Sequence, residues 1–227
     1  DFVYKGNPLI DAIDNSDAFK ETREEFLAKT GLPDKPMIAL LAGSRNGEIS
    51  SMMPIFMEFA DRLHALPEYS DYRFVVAAAP ARSEADYAKY IGGREYVSVV
   101  FGQSYAVMRH AKAAVVNSGT ASLECALVGT PQVVAYKGAE INFLIAKMII
   151  KIQYISLGNL ILDRICFREL LQYYFTPDNV LYEVRRMIED EEYRSAMLAG
   201  YQEIRDALGG EGASAAVARA MIEELKK

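Results

Sequence analysis

The turn Asn117-Ser118-Gly119-Thr120 follows an apolar run that ends at Val116 and leads into a stretch with helical periodicity. The free N–H groups and positive dipole end of such a helix form an anion site. Gly119 lets the backbone come close to a phosphate, and the hydroxyls of Ser118 and Thr120 add donors. Glu124 lies one helical turn further in, where its carboxylate can reach past a diphosphate to a ribose diol. The plainer reading of Glu124 is complementation of the helix dipole. A capping box would need Ser or Thr at position 121, which is alanine. A second turn, Ala42-Gly43-Ser44-Arg45, also joins an apolar run to a long helical stretch. Gly43 permits a tight turn, Ser44 offers a hydroxyl, and Arg45 can form bidentate hydrogen bonds to phosphate oxygens. It is neither G-x-G-x-x-G nor a Walker loop, and taken alone it reads as a solvated helix start. A diphosphate flanked by a dipole and an arginine needs no metal, and no Asp-x-Asp follows a strand to bind one.

These turns need strands to carry them. Residues 37–41, 72–76, 96–100, 113–116 and 132–136 are near-continuously apolar, as strands covered on both faces must be. Helical stretches separate them at about 47–66, 83–91, 104–110 and 120–128, the last closed by Gly129-Thr130-Pro131. A helix is expected over 16–30, ended by Gly31, and a short sixth strand at Tyr154–Ser156. Beyond Tyr136 the reading is an apolar helix near 140–151, an irregular stretch to Ile165, then mostly helix. Strands alternating with helices predict a doubly wound, Rossmann-like α/β fold, a parallel sheet of about six strands with a helical C-terminal extension. In such sheets ligands bind beyond the carboxyl ends of the strands, which is where both turns fall.

Composition narrows the partners. The chain has 227 residues, 51% of them hydrophobic, enough to bury a large core. With 31 acidic against 25 basic side chains the net charge is -6, which argues against nucleic acid as a partner. Cys125 and Cys166 are the only cysteines, and no zinc or disulfide framework is expected. No apolar run suggests a membrane span and no signal peptide opens the chain, so a cytoplasmic location is expected. The start without methionine suggests that sequence upstream is missing. Residues 137–168 place Lys137, Lys147, Lys151, Arg164 and Arg168 around Phe143, Leu144, Met148 and Ile149, a pattern that suits a membrane surface or equally a buried helix. Tyr173-Tyr174-Phe175 reads as packing rather than interface, and neither His64 nor His110 is given a catalytic role.

Several ordered blocks resemble the C-terminal half of lipid-A-disaccharide synthases, glycosyltransferases of the GT-B class. Leu40-Leu41-Ala42-Gly43-Ser44-Arg45 resembles the family's L-L-P-G-S-R, and residues 117–124 with Gly129-Thr130-Pro131 and Val133-Val134-Ala135-Tyr136 resemble its S-G-T-A-x-L-E, G-T-P and V-V-x-Y blocks. Tyr154-Ile155-Ser156-Leu157-Gly158-Asn159-Leu160-Ile161 is similar to Y-V-S-L-P-N-L-L, and Glu169-Leu170-Leu171-Gln172 to E-L-L-Q. Tyr4 to Asp11 resembles the interdomain hinge. Ala42 and Gly158 stand where the family often has proline.

The resemblance implies a hinge at 1–12, a UDP-sugar-binding domain at 13–176, and C-terminal helices at 177–227 that pack on the domain or a partner. It implies inverting transfer of 2,3-diacylglucosamine from UDP to the 6-hydroxyl of 2,3-diacylglucosamine 1-phosphate, without a cofactor. The acceptor and the general base would belong to an absent N-terminal half, leaving this chain inactive alone. Gly43, Ser44, Arg45, Ser118, Gly119 and Thr120 would hold the diphosphate, with Arg45 stabilising the leaving group. Glu124 would take the ribose, Gly102 and Gln103 the uracil, and Asn159 the donor pocket. Attachment to the inner face of the inner membrane and a homodimer are further expectations. Another UDP-sugar GT-B enzyme, such as an epimerase, and a bare nucleotide-binding module are the alternatives.

Overall fold

A computed structural model describes residues 6–138, 153–210 and 212–225. The apolar runs form β1 (Met37–Leu41), β2 (Arg73–Ala78), β3 (Val97–Phe101), β4 (Ala113–Asn117) and β5 (Gln132–Tyr136). Every residue of β1 is buried. Because successive side chains point to opposite faces, Ile38 and Leu40 join one core while Met37, Ala39 and Leu41 join the other. That two-sided burial explains why the strand shows no polar alternation.

Between the strands lie α3 (Asn46–His64), α4 (Ala85–Ile91), α5 (Ser104–His110) and α6 (Thr120–Val128). On α3 the buried residues Ile49, Met52, Phe56, Phe59 and Leu63 recur at helical spacing and face the sheet. Gly129 ends α6 in the left-handed region at φ 90°, donating its N–H to the Cys125 carbonyl at 3.1 Å. Upstream, the helix expected over 16–30 is divided into a 3-10 turn at Asp17–Phe19 and α2 (Arg23–Thr30). The break has a local cause, since Thr22 begins a capping box with Glu25: the Glu25 N–H donates to Thr22 Oγ1 at 3.2 Å, and the Thr22 N–H to Glu25 Oε2 at 2.7 Å.

The strands are parallel, in the order β3-β2-β1-β4-β5-β6. The sixth is not at Tyr154–Ser156. It is β6 (Glu169–Leu171), which pairs with β5 so that Glu169 lies opposite Val134. The N–H groups of Ile155 and Ser156 instead donate to the Glu169 carboxylate, at 3.0 and 2.9 Å, and the chain turns into α7 (Leu157–Leu162).

Asn159 on α7 completes this knot and is wholly buried. Its Nδ2 donates to the Phe167 carbonyl (2.9 Å) and to Glu169 Oε1 (3.0 Å), while its Oδ1 accepts from the N–H of Cys166 (2.8 Å) and Phe167 (3.3 Å). The two sequence blocks at 154–161 and 169–172 therefore meet in one hydrogen-bonded unit at the sheet edge.

The remaining helices are α8 (Pro177–Glu189), α9 (Glu191–Leu208) and α10 (Ala213–Leu225). Helix α8 packs on α3, with Phe175 edge-on to Phe56 at 6.1 Å, and α9 packs on α6, α7 and α8. At the other terminus α1 (Pro8–Asp14) meets α10: the Asp11 carboxylate accepts the N–H groups of Gly212 and Ser214 at 2.7 and 2.8 Å, which holds its carboxyl below the usual range. Arg205 of α9 reaches Asp14 at 2.9 Å. Cys125 and Cys166 are buried free thiols. No helix among the described residues is long and apolar enough to cross a membrane. The apolar helix expected near 140–151 lies outside the described residues.

Replacing Asn159 by leucine keeps the branched shape but leaves the N–H groups of Cys166 and Phe167 and the Phe167 carbonyl without these partners and takes one donor from the Glu169 carboxylate. Urea denaturation is expected to show a loss of about 3 kcal/mol.

Candidate functional site

Strand order reverses between β1 and β4, which pair in register from Ile38 opposite Ala113 to Leu41 opposite Val116. The chain leaves these neighbours toward opposite faces of the sheet, opening a crevice at their carboxyl ends. The turns at 42–45 and 117–120 both stand on that crevice. They touch at Gly43, whose φ is +92° and where an added Cβ would fall 2.6 Å from Asn117 Nδ2 and 2.3 Å from Glu48 Oε2. Glycine is required there on both counts.

The two helices that start at the crevice differ in one decisive respect. At the start of α3, Glu48 folds back so that its Oε2 accepts the N–H groups of Ser44 (2.8 Å) and Arg45 (3.0 Å), and its Oε1 pairs with the Arg45 guanidinium at 2.8 Å. Burial works against this charge, but the two N–H groups and the guanidinium together hold the carboxyl below its usual range. The start of α3 thus already carries an anion of its own, held by the two N–H groups that lead into the helix. At the start of α6 there is no acidic residue in the first turn and no side-chain cap. The Ser122 N–H turns back to the Gly119 carbonyl at 3.2 Å, and the N–H groups of Thr120 and Ala121 and the helix dipole meet no anion among the described residues. The hydroxyls of Ser118 and Thr120 have no hydrogen-bond partner among the described residues. Gly119 is extended, and a Cβ on it would meet nothing within 4 Å. Among the described residues no packing demands glycine at 119.

Arg45 projects from the opposite side of the crevice with its side chain 84% exposed, so most of its five donors remain available despite the Glu48 pair. Arg82, in the loop after β2, clamps this turn: its Nε donates to the Ser44 carbonyl at 2.7 Å, and its Nη groups reach Ser44 and Asn46. Glu48 and Arg82 are contributors that motif reading does not find. Glu48 had a local signal, a carboxylate three residues after the turn. Arg82 had none, because its partner lies on a different strand connection.

Beyond α6 a cleft of about 480 Å³ is lined by Gly102, Gln103, Tyr105 and Glu124 on one side, and its opposite wall includes Asp17 and the Lys29–Glu21 ion pair at 3.7 Å. The Tyr105 hydroxyl donates to Glu124 Oε1 at 3.2 Å. Burial raises the Glu124 carboxyl above its ordinary value, partly opposed by this hydrogen bond. Burial and the Glu124 charge together push the Tyr105 phenol up to about 12. Gly102, Gln103 and Glu124, which sequence reasoning named separately, therefore share one cavity, and the phosphate-type turns lie together at the switch point. Asn159 does not join them. Its side-chain atoms bond Cys166, Phe167 and Glu169, and it is not among the residues that line the cleft. Among the described residues no cluster of His, Cys, Asp or Glu could hold a metal.

A parallel sheet in this order, with paired turns at its switch point, is the GT-B-like form of the Rossmann fold. Solved structures agree. The chain aligns with Escherichia coli ADP-heptose lps heptosyltransferase II at a TM-score of 0.53 and 17% identity, covering 73% of this chain and 50% of that one. It aligns with a UDP-GlcNAc 2-epimerase from Neisseria meningitidis, solved with UDP-GlcNAc bound, at a TM-score of 0.64 and 18% identity, covering 96% and 54%. Sequence carries the assignment further. Residues 1–221 match the lipid-A-disaccharide synthetase family, LpxB. The lipid-A-disaccharide synthase of Trichlorobacter lovleyi is 32% identical over 227 residues, covering 97% of this chain and 57% of that protein. The chain belongs to the lipid-A-disaccharide synthetase family, a family of GT-B glycosyltransferases, and spans little more than half the length of that relative.

The half-buried Glu124 allows a test of the local electrostatics. A carboxyl whose folded pKa is raised favours folding while protonated and loses that contribution as pH rises from the unfolded value through the folded one. Glu124→Gln is therefore expected to raise the urea midpoint at about pH 8 and leave it nearly unchanged at about pH 3.5, where both states are protonated.

Proposed function

We propose that this chain is the donor-binding half of an inverting glycosyltransferase that moves 2,3-diacylglucosamine from UDP to the 6-hydroxyl of 2,3-diacylglucosamine 1-phosphate. The observation that carries the reading is the uncompensated start of α6 at the switch point, faced across the crevice by the exposed Arg45. In this reading the diphosphate lies on Ser118, Gly119 and Thr120, with Gly43 and Ser44 shaping the opposite wall. Glu124 takes the ribose, and Gly102 and Gln103 border the base. Expelling UDP builds charge on the β-phosphate. Donors already fixed at α6 and on Arg45 bind that charge more strongly in the transition state than in the ground state. No metal is needed for this step.

The acceptor and the general base come, in the same reading, from sequence beyond these 227 residues, so the chain alone binds donor without turnover. The apolar, lysine-flanked residues 143–151, outside the described structure, would meet acyl chains at the cytoplasmic membrane surface. The likeness to UDP-GlcNAc 2-epimerase favours one rival, an enzyme that binds the same kind of nucleotide but rearranges the sugar.

Two measurements decide. Calorimetry is expected to detect UDP binding that Arg45→Ala and Glu124→Ala each weaken by about 1–3 kcal/mol, the scale of a charge-assisted hydrogen bond. Absence of UDP binding to the parent chain rejects the site. With a family N-terminal half joined upstream, acylated UDP-glucosamine and its 1-phosphate acceptor are expected to yield the disaccharide. An epimerised nucleotide sugar in that assay would establish the rival instead.

A further inference from the structure

The cleft beside α6 holds more hydrogen-bond acceptors than the chain itself can satisfy. Glu124 is half-buried, and an ionised carboxylate offers about four lone-pair sites. Among the described residues its only hydrogen bond is the one from Tyr105, at Oε1. Its Oε2 has no donor, although burial disfavours the charge. In the same cavity Gln103 carries a buried side-chain oxygen without a partner. A buried acceptor without a partner is costly, and Gln103 Oε1 beside a carboxylate oxygen left open to the cleft suits an occupant that brings donors. A phosphate cannot do this at neutral pH, because it presents oxygens that accept. A sugar diol and a ring N–H can. Both belong to a ribonucleoside, and the cleft begins one helical turn inside the α6 end where the diphosphate is placed.

From this geometry we infer that Tyr105 is a positioning residue that fixes Glu124 for the 2′-hydroxyl of the nucleotide ribose, so that the cleft selects ribonucleotides over 2′-deoxyribonucleotides. The inference rests on the diphosphate reading of α6. Tyr105 sits in the first turn of α5 and Glu124 in the second turn of α6, so their hydrogen bond ties together the two helices that flank the cleft. A phenol pushed up to about 12 keeps its proton throughout the physiological range, and so remains a donor to Oε1. The carboxylate is then held in one orientation with Oε2 left for the ribose. Without the phenol, Glu124 can turn away, or take up a proton and give up its role as acceptor.

The test compares UDP with 2′-deoxy-UDP in calorimetric titrations of the full 227-residue chain and of Tyr105→Phe, which removes one hydroxyl and leaves the ring. The parent chain is expected to bind UDP at least about tenfold more tightly than 2′-deoxy-UDP, the value of one good hydrogen bond to a charged group. Tyr105→Phe is expected to lose about three- to tenfold in UDP affinity while its affinity for 2′-deoxy-UDP stays within about twofold, so that the preference collapses. A purely structural role for Tyr105 would weaken both nucleotides alike and leave their ratio intact, and that outcome overturns the inference. So does a parent chain that binds UDP without discriminating. Failure of the parent chain to bind either nucleotide removes the diphosphate site itself, and is distinguished from the other outcomes by the absence of any heat. If Tyr105→Phe melts well below the parent, Glu124→Gln read by the same ratio replaces it, with loss of the preference expected.

Discussion

The structure depends on the side-by-side pairing of β1 and β4 in the middle of a sheet covered on both faces. Strands so placed can carry almost nothing polar, because an unpaired buried donor or acceptor costs as much as a good hydrogen bond contributes. Leu40 and Leu41 obey this to the end of β1, and Val115 and Val116 do so until Asn117, the polar residue that closes β4. Polar chemistry is therefore expelled to the strand ends. It collects where the order reverses, since only there do the connections part and leave room for a ligand. Position and function share one origin in this constraint.

At that opening the chain presents two helix starts, and only the one at α6 lacks an acidic residue in its first turn. Glu48 supplies the anion for α3 internally, which locks the Gly43–Arg45 turn and leaves Arg45 as an exposed side chain on a rigid base. Arg82 braces the same turn through the Ser44 carbonyl. An arginine held in this way loses less freedom on meeting a phosphate than one on a loose loop, so more of its interaction energy remains for binding. The α6 end, with glycine where nothing in the protein needs it, is the complementary open pole.

Much of this was legible in the residues themselves. Five strands fall within two residues of their expected ends because two-sided burial writes an uninterrupted apolar run, and the turns at Gly43 and Gly119 are legible through their glycines and hydroxyls. The failures share a different physics. Tyr154–Ser156 is rich in strand formers, but its N–H groups are claimed by Glu169 from farther along the chain, and Glu169–Leu171 forms the ladder instead. Asn159, which the resemblance alone gave to a donor pocket, bonds Cys166, Phe167 and Glu169, partners that no local pattern announces. Tyr105 and Arg82 act through residues 19 and 38 positions away in sequence. Local periodicity carries no trace of such pairs, which exist only once the sheet has brought separate connections together.

Glu124 shows how these levels join. In the second turn of α6 it gains little from the dipole, and in its cleft it meets one phenol and few other donors, so the folded chain holds it at a disadvantage relative to water. An arrangement that only maximised stability would place an apolar or amide side chain there. Keeping the carboxylate makes sense when an incoming molecule supplies the missing donors, for then relief of the unsatisfied charge adds to the affinity and the bound chain becomes the more stable one. The same logic covers the bare start of α6, a positive pole left without its own anion. Both features are deficits in the free chain and lie one helical turn apart, so in the proposed reading a nucleoside diphosphate would correct the two together.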